Sequence, residues 1–523
     1  MKKNKYILCL GVIFLIAACT DILETTPKSG IINDASFFKT TADFDAYILG
    51  AYIACGGSFD GSGVANWIKV TGFISQDIYG SDQIPKPLAQ YISASEGQIQ
   101  NMWITFYKIA STANQVLAKL PDAQIDEADK TRLEGEALFF RGFAYFLIAR
   151  AFGTAPLILT PYEISQNVME CTPEAQIWDQ VITDLTAAAP KIPSREDWSS
   201  DNLGRASKGA VYAFLANAYM YKEDWANAET ASNSLIALEE YSLMPDVRSV
   251  FSLAHQNNDE SIFEVQYRDI LNGKVTWNGY AESGSVLPEY ISPRNIGNEW
   301  APAAGWGEMT MNRKLAQSFE PGDDRRANLI AVPGDPYKGE LMTDTMRYST
   351  DRNNALNGWS VTNPYTPGSP EFLSWIGSNW DKSAFSTKYW YGPSDVSGDD
   401  YLFRTNIPIM RYAEFLLNYA EILFKQGKTA QAYQQINLVR ERALLADLPE
   451  SADEATFMTS LMKERRAELN FEPNLWFHYT RTGTAANFLQ TVHGVTWVEK
   501  WSKLPIPQAE RDQNPNLCQN TGY

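Results

Sequence analysis

Histidine and cysteine are scarce in this 523-residue chain, which contains three and five of them. The histidines His255, His478 and His493 form no HExxH pair, and no CxxC pair occurs. The sequence also lacks a GxSxG nucleophile motif and a phosphate-binding GxxxxGK loop. These absences argue against the common forms of zinc hydrolase, serine esterase and P-loop nucleotidase. Loop Asp and Asn residues can hold Ca²⁺, but no EF-hand spacing occurs, so neither a metal nor a cofactor is predicted.

Basic residues are outnumbered by acidic ones, 44 to 62, giving a formal net charge of −18. Such a surface repels nucleic acid, and no basic patch compensates for it. The runs Asp323-Asp324-Arg325-Arg326 and Asp399-Asp400 are interpreted as solvated turns. Two catalytic carboxylates could come from so many acids, so a surface glycoside hydrolase stays an alternative.

Long hydrophobic runs are absent after the first residues, and the chain starts like an exported lipoprotein. A basic start leads into a short apolar core and then into Ala17-Ala18-Cys19. Residues 1–18 are therefore predicted to be a signal peptide, and Cys19 to be the lipidated first residue of the mature chain. Acyl chains attach a protein to a membrane without spanning it. The remaining Cys55, Cys171 and Cys518 are odd in number and widely spaced, and they predict no disulfide framework.

One helix, predicted between Leu133 and Pro156, is apolar nearly all round and is expected to lie at the centre of the fold. Gly153 and Pro156 mark its end. Arg141 and Arg150 on this helix are each expected to pair with a carboxylate, because a buried guanidinium needs a partner.

A repeat of helix pairs appears at both ends of the chain. Ala216 precedes Ala228 by twelve residues, and Ala420 precedes Ala432 by the same interval, with Gly427 at the turn. Small residues at these offsets let antiparallel helices touch, as in tetratricopeptide (TPR) repeats. Other helices are expected at 34–54, 102–120, 173–189, 208–221 and 458–471, whereas 64–92 is interpreted as irregular.

The segment 245–405 separates the two helix pairs and is rich in Gly, Pro, Asn and aromatic residues. It predicts loops with a few short strands, including one at Ser261–Tyr267. Seven of the fifteen Trp residues fall in it: Trp277, Trp300, Trp306, Trp359, Trp375, Trp380 and Trp390. Aromatic residues on loops held by a rigid frame are typical of a sugar-binding surface.

Several stretches in order resemble the SusD/RagB family of outer-membrane nutrient-binding lipoproteins. They are the lipobox at Cys19, SFFKTTADFDAYILGAY (36–52), EALFFRGFAYFLIARAFGTAPLI (136–158), RASKGAVYAFLANAYMY (205–221), IMRYAEFLLNYAEIL (409–423), MKERRAELNFEPNLWFHYTRTG (462–483) and the closing LPIPQAERDQNPNLCQNTGY. Departures from the family pattern at Glu472-Pro473-Asn474 and His478 are interpreted as packing positions.

The resemblance implies a mainly α fold, with interrupted TPR helix pairs and a loop-rich insert carrying short strands. It implies one domain over 19–523, made of a helical part (19–244), a ligand-binding insert (245–405) and a C-terminal TPR pair with its tail (406–523). It also implies a non-catalytic protein on the outer membrane that faces the cell exterior. Such a protein passes oligosaccharides or polysaccharides to a SusC-like TonB-dependent transporter.

Ligand contacts in the family come from loops after the first helix and from the long insert. The matching positions here are Trp67, Tyr79, Asp82, Trp277, Asn278, Tyr280, Trp300 and Trp306. Each aromatic residue could instead fill a gap in the scaffold. A RagB-like protein that binds peptides or glycopeptides is the alternative from the same scaffold, and a TPR adaptor for proteins is another.

Overall fold

The computed structural model describes residues 37–57, 63–80, 88–161, 169–267, 285, 287–291, 308–331, 336–337, 340–341, 383–389 and 405–523. The fold is mainly α-helical, as predicted. Its first helices are α1 (Thr41–Gly56), α2 (Gly63–Ser75), α3 (Leu88–Tyr91), α4 (Gly97–Lys119), α5 (Glu127–Phe152), α6 (Glu174–Ala188), α7 (Lys208–Tyr221) and α8 (Trp225–Ile236). The later helices are α9 (Leu287–Ile291), α10 (Arg313–Ala316), α11 (Asp324–Leu329), α12 (Tyr412–Lys425), α13 (Thr429–Arg442), α14 (Glu454–Leu469), α15 (Leu475–Arg481), α16 (Ala485–Phe488) and α17 (Gln508–Gln513).

Short strands accompany the helices, as expected for the insert. They are β1 (Ile78–Tyr79), β2 (Ser261–Val265), β3 (Thr310–Asn312), β4 (Ile330–Ala331), β5 (Pro336–Tyr337), β6 (Glu340–Leu341), β7 (Ser383–Ser386) and β8 (Ile407–Arg411). One antiparallel sheet has the order β1-β3-β7-β4, and β2-β8 and β5-β6 form two-stranded pairs. Strand β2 lies within the predicted run and pairs Ser261 with Arg411. The insert is thereby tied to the start of α12.

The central helix predicted from the sequence is α5, which packs against α1, α4 and α6. Phe139 and Phe143 meet Phe214 of α7 and Phe263 of β2 with ring centroids 5.0–6.1 Å apart. Burial of these rings stabilises the fold by about 2 kcal/mol per side chain. Gly153, at a φ of 72°, ends the helix as expected.

The two arginines of α5 have different partners. The guanidinium of Arg141 donates two hydrogen bonds of 2.8 Å to Asp184 of α6, which confirms the expected ion pair. Arg150, in contrast, donates to the amide oxygen of Asn474 at 2.6 Å and lies 4.4 Å from the ring centroid of Phe477. The expected carboxylate partner of Arg150 is therefore replaced by an amide and a ring face. Burial lowers the pKa of this guanidinium to about 10.

The interrupted repeat is continuous in space. Helix α7 packs on α8, α12 packs on α13, and α8 contacts α12. Asn418 donates to Asn217 at 2.9 Å, and the Tyr419 hydroxyl donates to Asn233 at 2.8 Å. The four alanines of the repeat, Ala216, Ala228, Ala420 and Ala432, are all buried. The predicted TPR pairs thus stack on each other, although the two asparagines that join them are 201 residues apart in sequence.

The irregular structure expected for 64–92 is wrong for its first part, which forms α2. This helix was missed because polar residues interrupt its apolar pattern. The structure buries them because their side chains bond to backbone: Asn66 donates to the Gln98 carbonyl at 2.9 Å, and Thr71 to the Trp67 carbonyl at 2.7 Å. The first helix also begins later than expected, at Thr41, with a capping box formed by Thr40 and Asp43.

The absence of a disulfide, expected from cysteine spacing, is also wrong. Cys171 and Cys518 form a disulfide across 347 residues, with their Cα atoms 5.9 Å apart. Sequence spacing carries no information on such a contact, because the fold alone brings the C-terminal segment back to the region between α5 and α6. Cys55 is a buried free thiol, and burial raises its pKa.

The C-terminal segment satisfies carbonyl groups at the end of α5. Helix termini leave their last carbonyls without intrahelical partners. Here the Lys503 ammonium donates to the Ala149 carbonyl at 3.0 Å, the Leu504 amide to Ala151 at 2.7 Å, and the Asn520 amide to Phe152 at 2.8 Å. The tail therefore closes the chain onto its central helix.

Candidate functional site

Most of the predicted ligand residues lie outside the described residues. These are Asp82, Trp277, Asn278, Tyr280, Trp300 and Trp306, together with the predicted lipidation residue Cys19. The structure does describe residues that flank the segments carrying them. Their positions show where on the scaffold each segment begins and ends.

Trp67 lies in the core of the scaffold. It is on α2, its side chain is 1% exposed, and its ring meets Phe106 edge-on with centroids 5.2 Å apart. The ring offers no open face for stacking on a sugar. Trp67 therefore fills a gap in the scaffold, which was the alternative to ligand binding for each aromatic residue.

Tyr79 is also buried, at the base of the segment that carries Asp82. It lies on β1 opposite Thr310 of β3 and is 5% exposed. Burial, with Asp77 and Tyr91 nearby, raises the pKa of its hydroxyl, so the group is protonated at neutral pH. Tyr79 therefore holds the strand from which the 81–87 segment departs.

The two ends of the segment with Trp300 and Trp306 are joined to each other and to α2. The Met309 amide donates to the Tyr290 carbonyl at 2.8 Å. Lys69 of α2 forms a 2.7 Å ion pair with Glu308, and its ammonium lies 4.7 Å from the ring centroid of Tyr290. The residues on either side of 292–307 thus meet beside one lysine of α2.

The segment with Trp277, Asn278 and Tyr280 follows a residue that lies near the start of α2. Tyr267, the last described residue before it, donates its hydroxyl to the Gly56 carbonyl at 2.9 Å. Its amide donates to the Asn406 side chain at 2.8 Å. Gly63, which starts α2, approaches Gly56 so closely that a Cβ would lie 2.5 Å from backbone atoms, and its φ is +74°. Only glycine fits there.

We call these flanking residues the anchor cluster; its members are Gly56, Lys69, Tyr79, Tyr267, Tyr290 and Glu308. Three segments that carry predicted ligand residues begin or end at this cluster. Its three tyrosines are buried, and its one ion pair is partly exposed, with 13% of Lys69 and 34% of Glu308 accessible. The cluster flanks the segments that carry the predicted ligand residues, and its contacts are those of a structural support.

A network of buried charges fixes the frame behind the anchor cluster. Arg411 donates to Glu260 and Glu468, each at 2.6 Å, and to Glu472 at 2.7 Å. Lys388 forms a 2.5 Å ion pair with Glu472. Burial lowers the pKa of Lys388 to about 8, although the negative charge of Glu472 acts to raise it. Although burial opposes it, Arg442, Arg411 and Arg325 hold the pKa of Glu468 well below its usual range.

Arg325 belongs to the same network, which corrects the interpretation of its acidic–basic run as a solvated turn. Its side chain is 1% exposed and pairs with Asp323 at 2.8 Å, with Glu464 at 2.5 Å and with Glu468 at 2.9 Å. Sequence reasoning missed this network. A signal was present in Glu464, Glu468 and Glu472, which recur every four residues and would therefore share one face of a helix.

A second buried ion pair fixes β1 from the C-terminal part. Arg466 holds Asp77 through two hydrogen bonds of 2.9 and 2.6 Å, and His493 contacts the same carboxylate at 3.1 Å. The Asn312 backbone amide donates to the Asp77 carbonyl at 2.8 Å. Burial alone would raise the pKa of Asp77. Its interactions with Arg466 and His493 outweigh burial, so the pKa of Asp77 lies below its ordinary value. The departure of the 81–87 segment is thereby set by residues 389 and 416 positions away from Asp77.

Within the described residues, no group of three or more His, Cys, Asp or Glu side chains is arranged to hold a metal ion. The predicted packing role of the Glu472–His478 region is confirmed. Asn474 donates to Glu414 at 2.9 Å, and His478 contacts the same carboxylate at 3.0 Å. In the part of the chain that the structure describes, no helix has the length and apolar character needed to cross a membrane.

Comparison with protein families matches two models to this chain. The model described as the SusD family matches residues 259–523, and the model described as "Starch-binding associating with outer membrane" matches residues 23–220. SusD-like protein P2 of Formosa agariphila is 26% identical over the whole of both chains. The starch-binding protein SusD of Bacteroides thetaiotaomicron is 22% identical over 76% of this chain and 74% of its own.

Solved structures share the fold. Surface glycan-binding protein A from Bacteroides thetaiotaomicron, in complex with laminarihexaose, superimposes with a TM-score of 0.73 at 23% identity. The match covers 92% of this chain and all of that one. A SusD superfamily protein from Bacteroides vulgatus gives a TM-score of 0.72 at 22% identity, over 93% of this chain and all of its own. The helical scaffold expected from the sequence is therefore confirmed.

Proposed function

The chain belongs to the SusD family, and from that premise we propose that it is a surface lipoprotein that captures an oligosaccharide or polysaccharide. It delivers this glycan to a SusC-like TonB-dependent transporter in the outer membrane. The description of the model matching residues 23–220 supports glycan capture at the outer membrane, because it names starch binding and the outer membrane. Relatives named for binding starch and laminarihexaose support a glycan as ligand. The chain is a binding protein and not an enzyme.

The anchor cluster is the observation that carries the glycan-binding proposal. Its residues flank the three segments that contain Asp82, Trp277, Asn278, Tyr280, Trp300 and Trp306, and they lie along α2 and at its two ends. Aromatic rings on such segments stack on the apolar face of a pyranose, and Asp and Asn side chains bond its hydroxyl groups. Trp67 and Tyr79 serve this site from the core, by holding α2 and β1 in place.

Attachment to the membrane rests on Cys19. In this proposal, signal residues 1–18 are removed and the acylated Cys19 tethers the folded body. A Cys19→Ala variant, which cannot be acylated, is expected to be absent from the outer-membrane fraction. Digestion of intact cells with proteinase K then tests the orientation: a native chain that faces the exterior is degraded without cell lysis. Retention of the variant in the outer membrane, or protection of the native chain from the protease, would contradict tethering or orientation respectively.

Affinity electrophoresis of residues 20–523 against a panel of polysaccharides tests glycan capture. One glycan is expected to retard the chain, and a reducing-end assay on the same samples is expected to stay at background. New reducing ends would indicate that the chain is a glycoside hydrolase. Retardation by no glycan would favour the peptide-binding alternative.

Substitution then tests the residues. Trp277→Ala, Trp300→Ala and Trp306→Ala are each expected to weaken retention, by about 0.5–1.5 kcal/mol for a lost stacking ring. Trp225→Ala is the matched control, because Trp225 begins α8 in the TPR pair and lies outside the anchor cluster. Equal retention of all four variants would place the glycan elsewhere. Copurification of a barrel transporter with the tagged chain from detergent-solubilised membranes tests the partner.

A further inference from the structure

A cavity of about 450 Å³ lies between α4 and the C-terminal segment, and its volume is within the range of small-molecule sites. Trp103 and Tyr107 of α4, Tyr145 of α5 and Leu517 of the C-terminal segment contribute to its wall. No member of the anchor cluster lines it. We propose that this cavity is a second ligand site, which binds a small neutral aromatic molecule.

Four polar side chains of the wall are committed to the protein. The Tyr107 hydroxyl donates to the Pro156 carbonyl at 2.8 Å, and the Tyr145 hydroxyl donates to the Ile158 carbonyl at 2.7 Å. Asn114 also donates to the Ile158 carbonyl, at 2.8 Å, and Asn514 to the Met169 carbonyl at 2.8 Å. Lys108, Ser111, Thr160 and Gln513 also line the cavity, but they are exposed to solvent. The buried part of the wall therefore recognises its ligand through apolar surface. A bare sugar, which carries hydroxyl groups around its whole edge, fits this lining poorly.

The aromatic rings of the wall suit a flat partner. The rings of Trp103 and Tyr107 have centroids 4.8 Å apart and are inclined by 46°. A flat ring that stacks on one of them lies tilted to the other and makes van der Waals contact with both. The shape therefore favours an aromatic ligand over a flexible aliphatic chain.

The charges of the lining favour a neutral ligand. Lys108 and Glu510 contribute one charge of each sign. Glu510 is half-buried and hydrogen-bonded by Gln100 and Trp103. Because the two charges are opposite in sign and Glu510 is already hydrogen-bonded, the lining favours neither an anion nor a cation. A neutral ring enters without losing the hydration of a charge.

The cavity is preformed because a covalent bond joins two of its walls. The disulfide between Cys171 and Cys518 links the strand of chain that holds Met169 to the C-terminal segment that holds Leu517. A rigid cavity loses little entropy when a ligand enters it. The shape of the cavity thus depends on the disulfide. The proposed glycan-binding site does not depend on it.

Titration of residues 20–523 with 2-naphthol, followed by isothermal calorimetry, tests the proposal. One equivalent is expected to bind with a Kd on the order of 100 μM, as fits a ligand of this size. The anion 2-naphthoate and the cation 1-naphthylmethylammonium are expected to bind at least tenfold more weakly. Absence of saturable 2-naphthol binding, or equal affinity for all three probes, would overturn the proposal.

Two variants place the bound probe in the cavity. Ser111 of α4 and Gln513 of α17 both line it, so Ser111→Trp and Gln513→Trp are each expected to weaken 2-naphthol binding at least tenfold. Ala118→Trp is the matched control, because Ala118 is exposed on the same helix as Ser111 and does not line the cavity. Far-ultraviolet circular dichroism identifies any variant that fails to fold, and the other variant then decides. Unchanged affinity in a folded lining variant would overturn the proposal, as would competition between 2-naphthol and a bound glycan.

Discussion

At the scale of single residues, Arg411 has the most demanding environment among the buried charges described above. It faces Glu260, Glu468 and Glu472, and all four side chains are 3% exposed or less. Replacement by leucine leaves those carboxylates with too few cations, so Arg411→Leu is expected to lower the free energy of unfolding by about 3–5 kcal/mol. Urea denaturation at pH 7 measures this loss.

Lys463→Ala is the control for Arg411→Leu. Lys463 also pairs with a glutamate, Glu320, at 3.0 Å, but 55% of its side chain is exposed. Solvent screens such a pair, so its loss is expected to cost less than about 1 kcal/mol. Similar losses in the two variants would mean that the buried network contributes no more than a surface pair.

Glu414 gives the fold a pH dependence whose sign follows from its environment. Burial raises the pKa of this carboxyl from 4.5 to about 7, and Glu472 adds to the effect. A group whose pKa is higher in the folded state stabilises the fold while protonated, and this contribution is lost as the pH rises through about 7. The native chain is therefore expected to lose up to about 3 kcal/mol between pH 4.5 and 8 through this group.

Glu414→Gln tests that sign, because glutamine keeps the shape and does not titrate. Urea midpoints of both proteins are measured at pH 5 and pH 8, and the difference between the proteins cancels the titrating groups that are distant from Glu414. The variant is expected to gain stability relative to the native chain as the pH rises. A constant difference across this range would show that Glu414 titrates normally.

For single polar and aromatic side chains, sequence alone distinguishes poorly between core and surface. Arg141 was predicted correctly because a charge on an apolar helix needs a nearby carboxylate. Arg325 and Trp67 were assigned to solvated or ligand-binding positions, yet both are 1% exposed. Which face a loop or short helix turns inward depends on its neighbours, and those neighbours are distant in sequence.

At the scale of elements, the long helices followed from their apolar periodicity, and α7 has the predicted bounds of Lys208–Tyr221. Helix α2 could not be predicted in this way. Its buried polar side chains are hydrogen-bonded to backbone groups, and the periodicity of the sequence does not reveal such bonds. The β1-β3-β7-β4 sheet could not be predicted either, since its strands have two to four residues and come from distant parts of the chain. The anchor cluster, which depends on that sheet, was hidden for the same reason.

Gly135 shows how closely two elements approach at the centre of the fold. Alanine in place of glycine normally stabilises a helix interior by about 1 kcal/mol. At Gly135 of α5, however, a Cβ would lie 2.8 Å from the backbone nitrogen of Ile192. The Ile192 amide donates to the Ala188 carbonyl at 3.0 Å and cannot easily move away. Gly135→Ala is therefore expected to destabilise the chain by about 1–3 kcal/mol.

Gly97→Ala is the control for this element. Gly97 begins α4, and nothing within the described residues lies within 4 Å of the Cβ that alanine would add there. Thermal unfolding of the two variants is expected to show a lower midpoint for Gly135→Ala and an unchanged or higher one for Gly97→Ala. A stabilised Gly135→Ala variant would mean that α5 and the chain at Ile192 can separate without cost.

At the scale of the whole molecule, distant parts of the chain are joined around α5. The C-terminal segment bonds the last carbonyls of that helix, and Arg466 reaches Asp77 across 389 residues. The family resemblance indicated one domain over 19–523, and these contacts make the two ends of the described chain interdependent. Strand β2 of the insert contacts α7 of the first helical part and pairs with β8 of the C-terminal part.

The disulfide is the covalent form of this closure, and its removal tests how far the fold depends on it. Cys171→Ser combined with Cys518→Ser opens a loop of 347 residues in the unfolded chain. The unfolded state gains freedom, so the free energy of unfolding is expected to fall by about 2–5 kcal/mol. The tail keeps its hydrogen bonds to α5, and the double variant is therefore expected to fold and to retain its glycan. Reductant is expected to lower the urea midpoint of the native chain and to leave that of the double variant unchanged. If reductant leaves the urea midpoint of the native chain unchanged, the tail is held by its hydrogen bonds and packing alone.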